Sequence, residues 1–322
     1  MQFNIDEDRG DYLSGWLLPD NPSREPRIVA VADQKRATIA PSLVHSNMVD
    51  SGLHDTGLCG FELHEAALPG LASARDVRLY DEDTGLLIYV RRGPRAYVEA
   101  KLFTFDSRGS AQSCCTAAFA AAFHMAYPDA DQIPHETRKA CIDLRFTTSL
   151  FVGGPVQFRA IEPFLRNKGY RLTAMLADPA ELLFSLVMPP RAAADPDAPR
   201  RLAAALSGLD ERSRAALRDP LTKQLTLIHR DDALDRDAVA QALDTLSYFD
   251  AVGIEARAEE FVTLVAAVCE TEPRLLGRVA ARPPMQLAAA LRREETVRDL
   301  IGRDLDIYDA VADALAAVQD GS

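Results

Sequence analysis

The stretch Leu102-Phe103-Thr104-Phe105-Asp106-Ser107-Arg108-Gly109-Ser110-Ala111-Gln112-Ser113-Cys114 decides how the chain is read. It has the form of a short buried strand, a tight polar turn and the start of an apolar helix. A strand–turn–helix aims backbone N–H groups at whatever lies above the turn, and a helix N-terminus favours an anion there. Arg108 adds a fixed positive charge, Ser107, Ser110 and Ser113 add hydroxyls, and Gly109 sits within the turn. The stretch is a candidate cradle for phosphate or sulfate. It contains neither GxxxxGK[ST] nor GxGxxG, so it matches neither common nucleotide loop.

On the N-terminal side, residues 1–95 carry short apolar segments between polar turns. These are Tyr12–Leu18, Arg27–Ala32, Ala37–Val44, Gly60–His64, Val77–Tyr80 and Leu86–Arg91. Strands at this spacing predict a small antiparallel β-sandwich. Arg91-Arg92-Gly93-Pro94-Arg95 reads as a linker. Beyond it, from residue 96 to 322, strands alternate with helices. The expected helices include Ser113–Tyr127, Pro134–Phe146, Val156–Lys168 and Pro179–Val187; the expected strands include Ser149–Val152 and Tyr170–Leu176. That alternation predicts a three-layer α/β domain with a parallel sheet. Gly169 suits a helix C-cap and Pro179 a first helical position, with Asp178 as the cap before it.

Of the 322 residues, 48% are hydrophobic and 26% charged, which suits a packed core and an ordinary polar surface. The net charge of −12 argues against a general nucleic-acid or anionic-membrane surface, though not against one small basic pocket. No apolar run reaches the length of a membrane span, and the first residues are acidic; a cytoplasmic, unprocessed protein is the default expectation. The five cysteines have no metal-ligand spacing. Cys114-Cys115 reads as a pair of small hydrophobes buried in an Ala-rich helix. No metal is expected.

Three motifs, in order, resemble those of bacterial carbohydrate sulfotransferases. The strand–turn–helix is similar to the loop that holds the 5′-phosphosulfate of PAPS, with Arg108 at the family's Lys and Ser113 at its Ser. Arg171–Ser185 resembles the strand and helix that hold the 3′-phosphate: Asp178, Pro179, Glu181 and Ser185 match, while Ala177 and Leu182 replace its Arg residues. Leu246–Ile254 and Asp299–Tyr308 resemble the family's late strand and closing helix, and Asp219–Leu225 puts Lys223 where a basic PAPS contact is expected. Ahead of these, Trp16 and Phe61 lie in a segment similar to the small β-domains of bacterial glycan-modifying enzymes. They are expected as core anchors, with sugar stacking by Trp16 as the alternative.

The resemblance implies PAPS as the sulfuryl donor, bound by Ser107, Arg108, Gly109, Ser110, Ser113, Ser185 and Lys223. It implies a hydroxyl of a glycan or glycolipid as the acceptor. Sulfuryl transfer, like phosphoryl transfer, needs positioned donors, a cation and a base. Arg108 is the candidate catalytic cation, and His135 and Glu136 are the candidate bases. Glu136 at a helix start reads first as capping chemistry, and His124 as a satisfied core histidine. The first reading is a PAPS-dependent sulfotransferase; the alternative is a non-catalytic relative that binds a glycan, an anionic ligand or a protein partner, and a transferase using another anionic donor is the third.

Overall fold

Apolar side chains at alternate positions suit strands with one buried face. In the computed structural model, which describes residues 1–109, 113–189, 192, 195, 197–226, 234–282 and 287–320, the first part of the chain is built this way. Its strands are β1 (Gln2–Asp8), β2 (Tyr12–Leu18), β3 (Ile28–Ala32), β4 (Lys35–Ile39), β5 (Leu43–Val44), β6 (Leu58–His64), β7 (Asp76–Asp81) and β8 (Leu87–Arg92). They form two four-stranded sheets, ordered β1-β2-β6-β5 and β4-β3-β7-β8, with antiparallel pairing throughout.

The β2 strand spans the expected residues. The expected Ala37–Val44 strand is divided at Ala40-Pro41, because proline cannot donate to the ladder. The β1 strand was not expected. Its acidic residues conceal an alternation that buries Phe3 and Ile5. The proposed linker also starts later than expected: Arg91 and Arg92 end β8, and Arg91 bonds Asp8, the Gly10 carbonyl and the Leu71 carbonyl.

The chain divides into two contact units. The first is Met1–Tyr97 with Ile133–Leu150, and the second is Val98–Gln132 with Phe151–Ser322. The return at 133–150 brings the His135–Ile142 helix into the first unit, where it buries Thr137, Cys141 and Ile142. Thr137 accepts from the Met1 amino group at 3.0 Å, and Phe146 packs on Tyr89 with ring centroids 5.6 Å apart.

The second unit holds β9 (Lys101–Asp106), β10 (Met125–Tyr127), β11 (Leu150–Gly154), β12 (Arg171–Leu176) and β13 (Ala251–Ile254) in a five-stranded sheet. The order is β10-β11-β9-β12-β13, and β12 runs parallel to both β9 and β13. The chain is thus a mixed α/β protein. The Thr104 and Thr173 hydroxyls pair at 2.9 Å inside the sheet, satisfying each other where no water reaches. Phe119, Phe123, Phe151 and Phe261 pack on one side, with Phe119 meeting Phe151 edge-on at 5.9 Å. Gly253 is required by that packing: a Cβ there would lie 2.6 Å from the Phe261 ring. A second cluster joins Leu183 and Phe184 to Leu202, Leu206 and Leu300.

The single helix expected over Ser113–Tyr127 is instead a helix, Thr116–Ala122, followed by β10. An apolar run fits either element, and pairing at the sheet edge decides for the strand. His124 therefore lies past the helix end, half-buried. Among the described residues, no helix is long and apolar enough to cross a membrane.

Candidate functional site

Parallel register fixes where the loop residues of the second unit end up. Asp106 lies opposite Met175, and Met175 opposite Gly253, so β9, β12 and β13 finish at one level. The carboxyl ends of parallel strands are where such sheets place their sites. At this edge stand Asp106, Ser107 and Arg108 after β9, Asp178 and Glu181 after β12, and Glu255 after β13.

Two strand spacings, about 9.5 Å, separate β9 from β13. The long Arg108 side chain bridges them. Its Nε lies 2.8 Å from Oε1 and 2.9 Å from Oε2 of Glu255, and its Nη2 lies 2.6 Å from Oε2. A second carboxylate, Glu181, lies 3.6 Å from Nη2. The Arg108 side chain is 1% exposed. Burial works against its charge, but Glu255, then Glu181 and Asp106, hold the guanidinium above its ordinary pKa. The remaining nitrogen, Nη1, lies 3.5 Å from Ser185 Oγ, which itself donates to the carbonyls of Glu181 and Leu182.

The described donors of the turn are also engaged within the chain. Ser107 N–H bonds the Met175 carbonyl, and its Oγ accepts from Ala177 N–H at 2.8 Å, extending the β9–β12 pairing by one step. Arg108 N–H bonds Asp106 Oδ1, and Gly109 N–H bonds the Asp106 carbonyl. Gly109 has a φ of 78°, which glycine adopts without strain. Ser113 Oγ accepts from the N–H groups of Cys115 and Thr116 at the start of the short helix. Ser110 lies outside the described residues.

Asp106 is the acidic centre of the turn. Burial pushes its carboxyl up to about 6, against the opposing effect of hydrogen bonds from Ser113, Thr116 and the Arg108 N–H; Glu255 adds to the rise. Thr116 Oγ1 lies 3.0 Å from Asp106 Oδ2. Asp178 caps the Pro179–Val187 helix as expected, accepting from Ala180 and Glu181 N–H, and it also pairs with Arg292 at 2.6 Å.

The other expected residues stand elsewhere. His135 and Glu136 open a helix of the first contact unit, 48% and 69% exposed, and Glu136 pairs with Lys139 at 2.8 Å. Lys223 is buried and donates from Nζ to the Ala215 carbonyl at 3.0 Å. The structure therefore brings Ser107, Arg108, Gly109, Ser113 and Ser185 to one edge of the sheet. Glu255 is the residue that sequence reasoning missed. Its only signal was its place after the apolar strand Ala251–Ile254, and a carboxylate after a strand is too common to stand out. Among the described residues, no group of three or more His, Cys, Asp or Glu side chains is arranged to hold a metal ion.

No protein-family model matches the chain, and no curated protein sequence matches it. Chemically, the edge is a buried cation enclosed by carboxylates. It stabilises its own charges through these contacts.

Proposed function

We propose that this chain is a non-catalytic relative of the carbohydrate sulfotransferases, a binding protein in which the expected donor loop serves as a structural ion-pair core. The observation that carries the reading is the three-contact clasp of buried Arg108 on Glu255, with Glu181 beside it. A phosphosulfate at Arg108 gains about 1.5–3 kcal/mol from one charge-assisted hydrogen bond. The charge that would attract it is already balanced by Glu255, and Glu181 adds a further negative charge beside it, so the cluster as a whole disfavours an anion.

The proposed ligand is a glycan or glycolipid, in a cytoplasmic setting. The resemblance of the N-terminal segment supports it, as does Trp16. That indole is half-buried on β2, whereas Phe61 is fully buried. Trp16 lies opposite Asn4 on one side and Gly60 on the other, so one flanking position carries no side chain. Half-exposed aromatic rings of this kind present an apolar face with a polar edge.

The active alternative is a PAPS-dependent sulfotransferase. Arg108 Nη1 and Ser185 Oγ stand 3.5 Å apart, whereas the resemblance assigns them to opposite ends of PAPS, and that closeness counts against it. Calorimetric titration with PAP and with adenosine 5′-phosphate separates the two readings. The expected result is no preference for PAP. A preference of tenfold or more, lost in Arg108→Ala and reduced in Ser185→Ala and Lys223→Ala, would establish the enzyme reading instead.

A further inference from the structure

Cys114 and Cys115 were expected to be inert and buried in a helix; neither lies in the helix, and only one is buried. Cys115 is fully buried and Cys114 half-buried, and both precede the helix, which begins at Thr116. Their sulfurs lie 3.6 Å apart. A buried thiol beside a partly exposed one is the arrangement in which one sulfur meets reagents and the other resolves the product.

We propose that Cys114-Cys115 is a reversible redox site, oxidised to a vicinal disulfide by a low-molecular-weight disulfide. The site does not depend on the ligand reading above. The Cys114 thiolate attacks one sulfur of the external disulfide, forming a mixed disulfide and expelling one thiolate. Cys115 then loses its proton and attacks Cys114 Sγ. The Cys114–Cys115 bond forms, the mixed disulfide breaks, and the second thiolate leaves. The protein is oxidised by two electrons, the external disulfide is reduced to two thiols, and the two cysteine protons end on those thiols.

Two observations support the direction of attack. Access favours Cys114, because the thiolate must reach its reagent. The hydrogen bond between the two sulfurs holds the Cys114 thiol below its ordinary pKa and pushes Cys115 up. The first proton to leave is therefore that of the accessible sulfur.

The chain also sets how stable the product is. Adjacent Cα atoms are 3.80 Å apart across a trans peptide, less than the 4.4–6.8 Å usual for disulfides. The closed ring is strained, and strained disulfides are the readily reduced ones. Closing it turns the backbone between Ser113 and Thr116. That backbone carries the two N–H groups held by Ser113 Oγ and the Thr116 hydroxyl held by Asp106. Oxidation at the pair is thereby linked to the Asp106 carboxyl at the sheet edge.

The test uses the full chain, reduced and then incubated with oxidised glutathione, alkylated under denaturing conditions and mapped by peptide mass spectrometry. The expected product is an unalkylated peptide carrying 114–115, lighter by two hydrogens, with Cys59, Cys141 and Cys269 alkylated. Cys115→Ala is expected to trap glutathione on Cys114. A second probe covers the case in which that variant does not fold: one equivalent of phenylarsine oxide should protect both thiols of the wild-type pair from alkylation. The proposal is overturned if glutathione stays on wild-type Cys114, if both thiols remain reduced, or if the arsenical protects neither.

Discussion

Arg108 and Glu255, 147 residues apart in sequence, meet as a guanidinium fork on a carboxylate, with Nη2 2.6 Å from Oε2. The fork geometry suits arginine and not lysine. Because both side chains are buried, the pair adds little net stability over well-packed apolar residues, but losing one partner leaves an uncompensated charge. The turn after β9 and the start of the segment after β13 are thus tied together.

Arg108→Ala is expected to lower the unfolding free energy by roughly 3–5 kcal/mol, read by urea denaturation. Arg108→Lys should be intermediate, since it restores charge without the fork. In a cycle with Glu255→Ala, the double variant should lose less than the sum of the two singles. Strict additivity would contradict the ion-pair account.

Two buried carboxyls make stability fall as pH rises. Burial pushes Asp106 up to about 6. Burial first and then facing Asp219 push Asp304 up to about 7, each from a starting value of 3.8. Between the unfolded and folded values, the folded chain keeps a proton that the unfolded chain has lost. Stability from this source is therefore full below about pH 4 and lost on rising through about 6 for Asp106 and about 7 for Asp304. Asp106→Asn should flatten the decline between about pH 4 and 6 in denaturation midpoints. Its amide can keep the Arg108 N–H as donor and turn its NH2 to the Thr116 hydroxyl. An unchanged slope in that variant would assign the proton elsewhere.

Asp219 and Asp304 cap each other's chain segments. Asp304 accepts from Leu221 N–H, Thr222 N–H and Thr222 Oγ1 at 2.7–3.0 Å, while Asp219 Oδ1 accepts from the N–H groups of Arg303 and Asp304. The Asp219 contacts coincide with a break in the Glu295–Asp320 helix at Ile301, which has φ −128° and ψ 22°. Asp304→Ala strands three buried donors, and each unsatisfied group costs about 1–3 kcal/mol. A loss above about 2 kcal/mol is expected, with Asp304→Asn milder. Circular dichroism and a urea midpoint check both; equal loss in the two variants would mean that packing, not capping, sets the cost.

Asp178→Ala removes a helix cap and the partner of Arg292. The cap accounts for about 1 kcal/mol, and the partly buried pair with Arg292 adds about 1 more. Asp178→Ser should restore the cap alone. If Ser recovers nothing in thermal denaturation, the ion pair and not the cap is the main contribution.

Much of the fold was legible because it is local. Tyr12–Leu18 and Pro179–Val187 stand where alternation, the Asp178 cap and Pro179 put them, and Gly169 follows its helix with a φ of 69°. The β1 strand and the Thr116–Ala122 boundary were less so. An acidic strand hides its apolar face, and an Ala- and Phe-rich run fits two periods until a sheet edge selects one.

The sequence by itself determined many of the elements and placed Ser107, Arg108 and Gly109 in a turn between a strand and a helix, since dihedral preference and periodicity act over a few residues. Only the tertiary structure decided what that turn holds. The parallel register of β9, β12 and β13 brings Glu255 and Glu181 to Arg108; the return of 133–150 to the first contact unit takes His135 and Glu136 away, and Cys114 is partly open beside buried Cys115. A charge takes its meaning from its neighbours in a low-dielectric interior, and those neighbours are assembled from residues too far apart in the chain for any local pattern to connect.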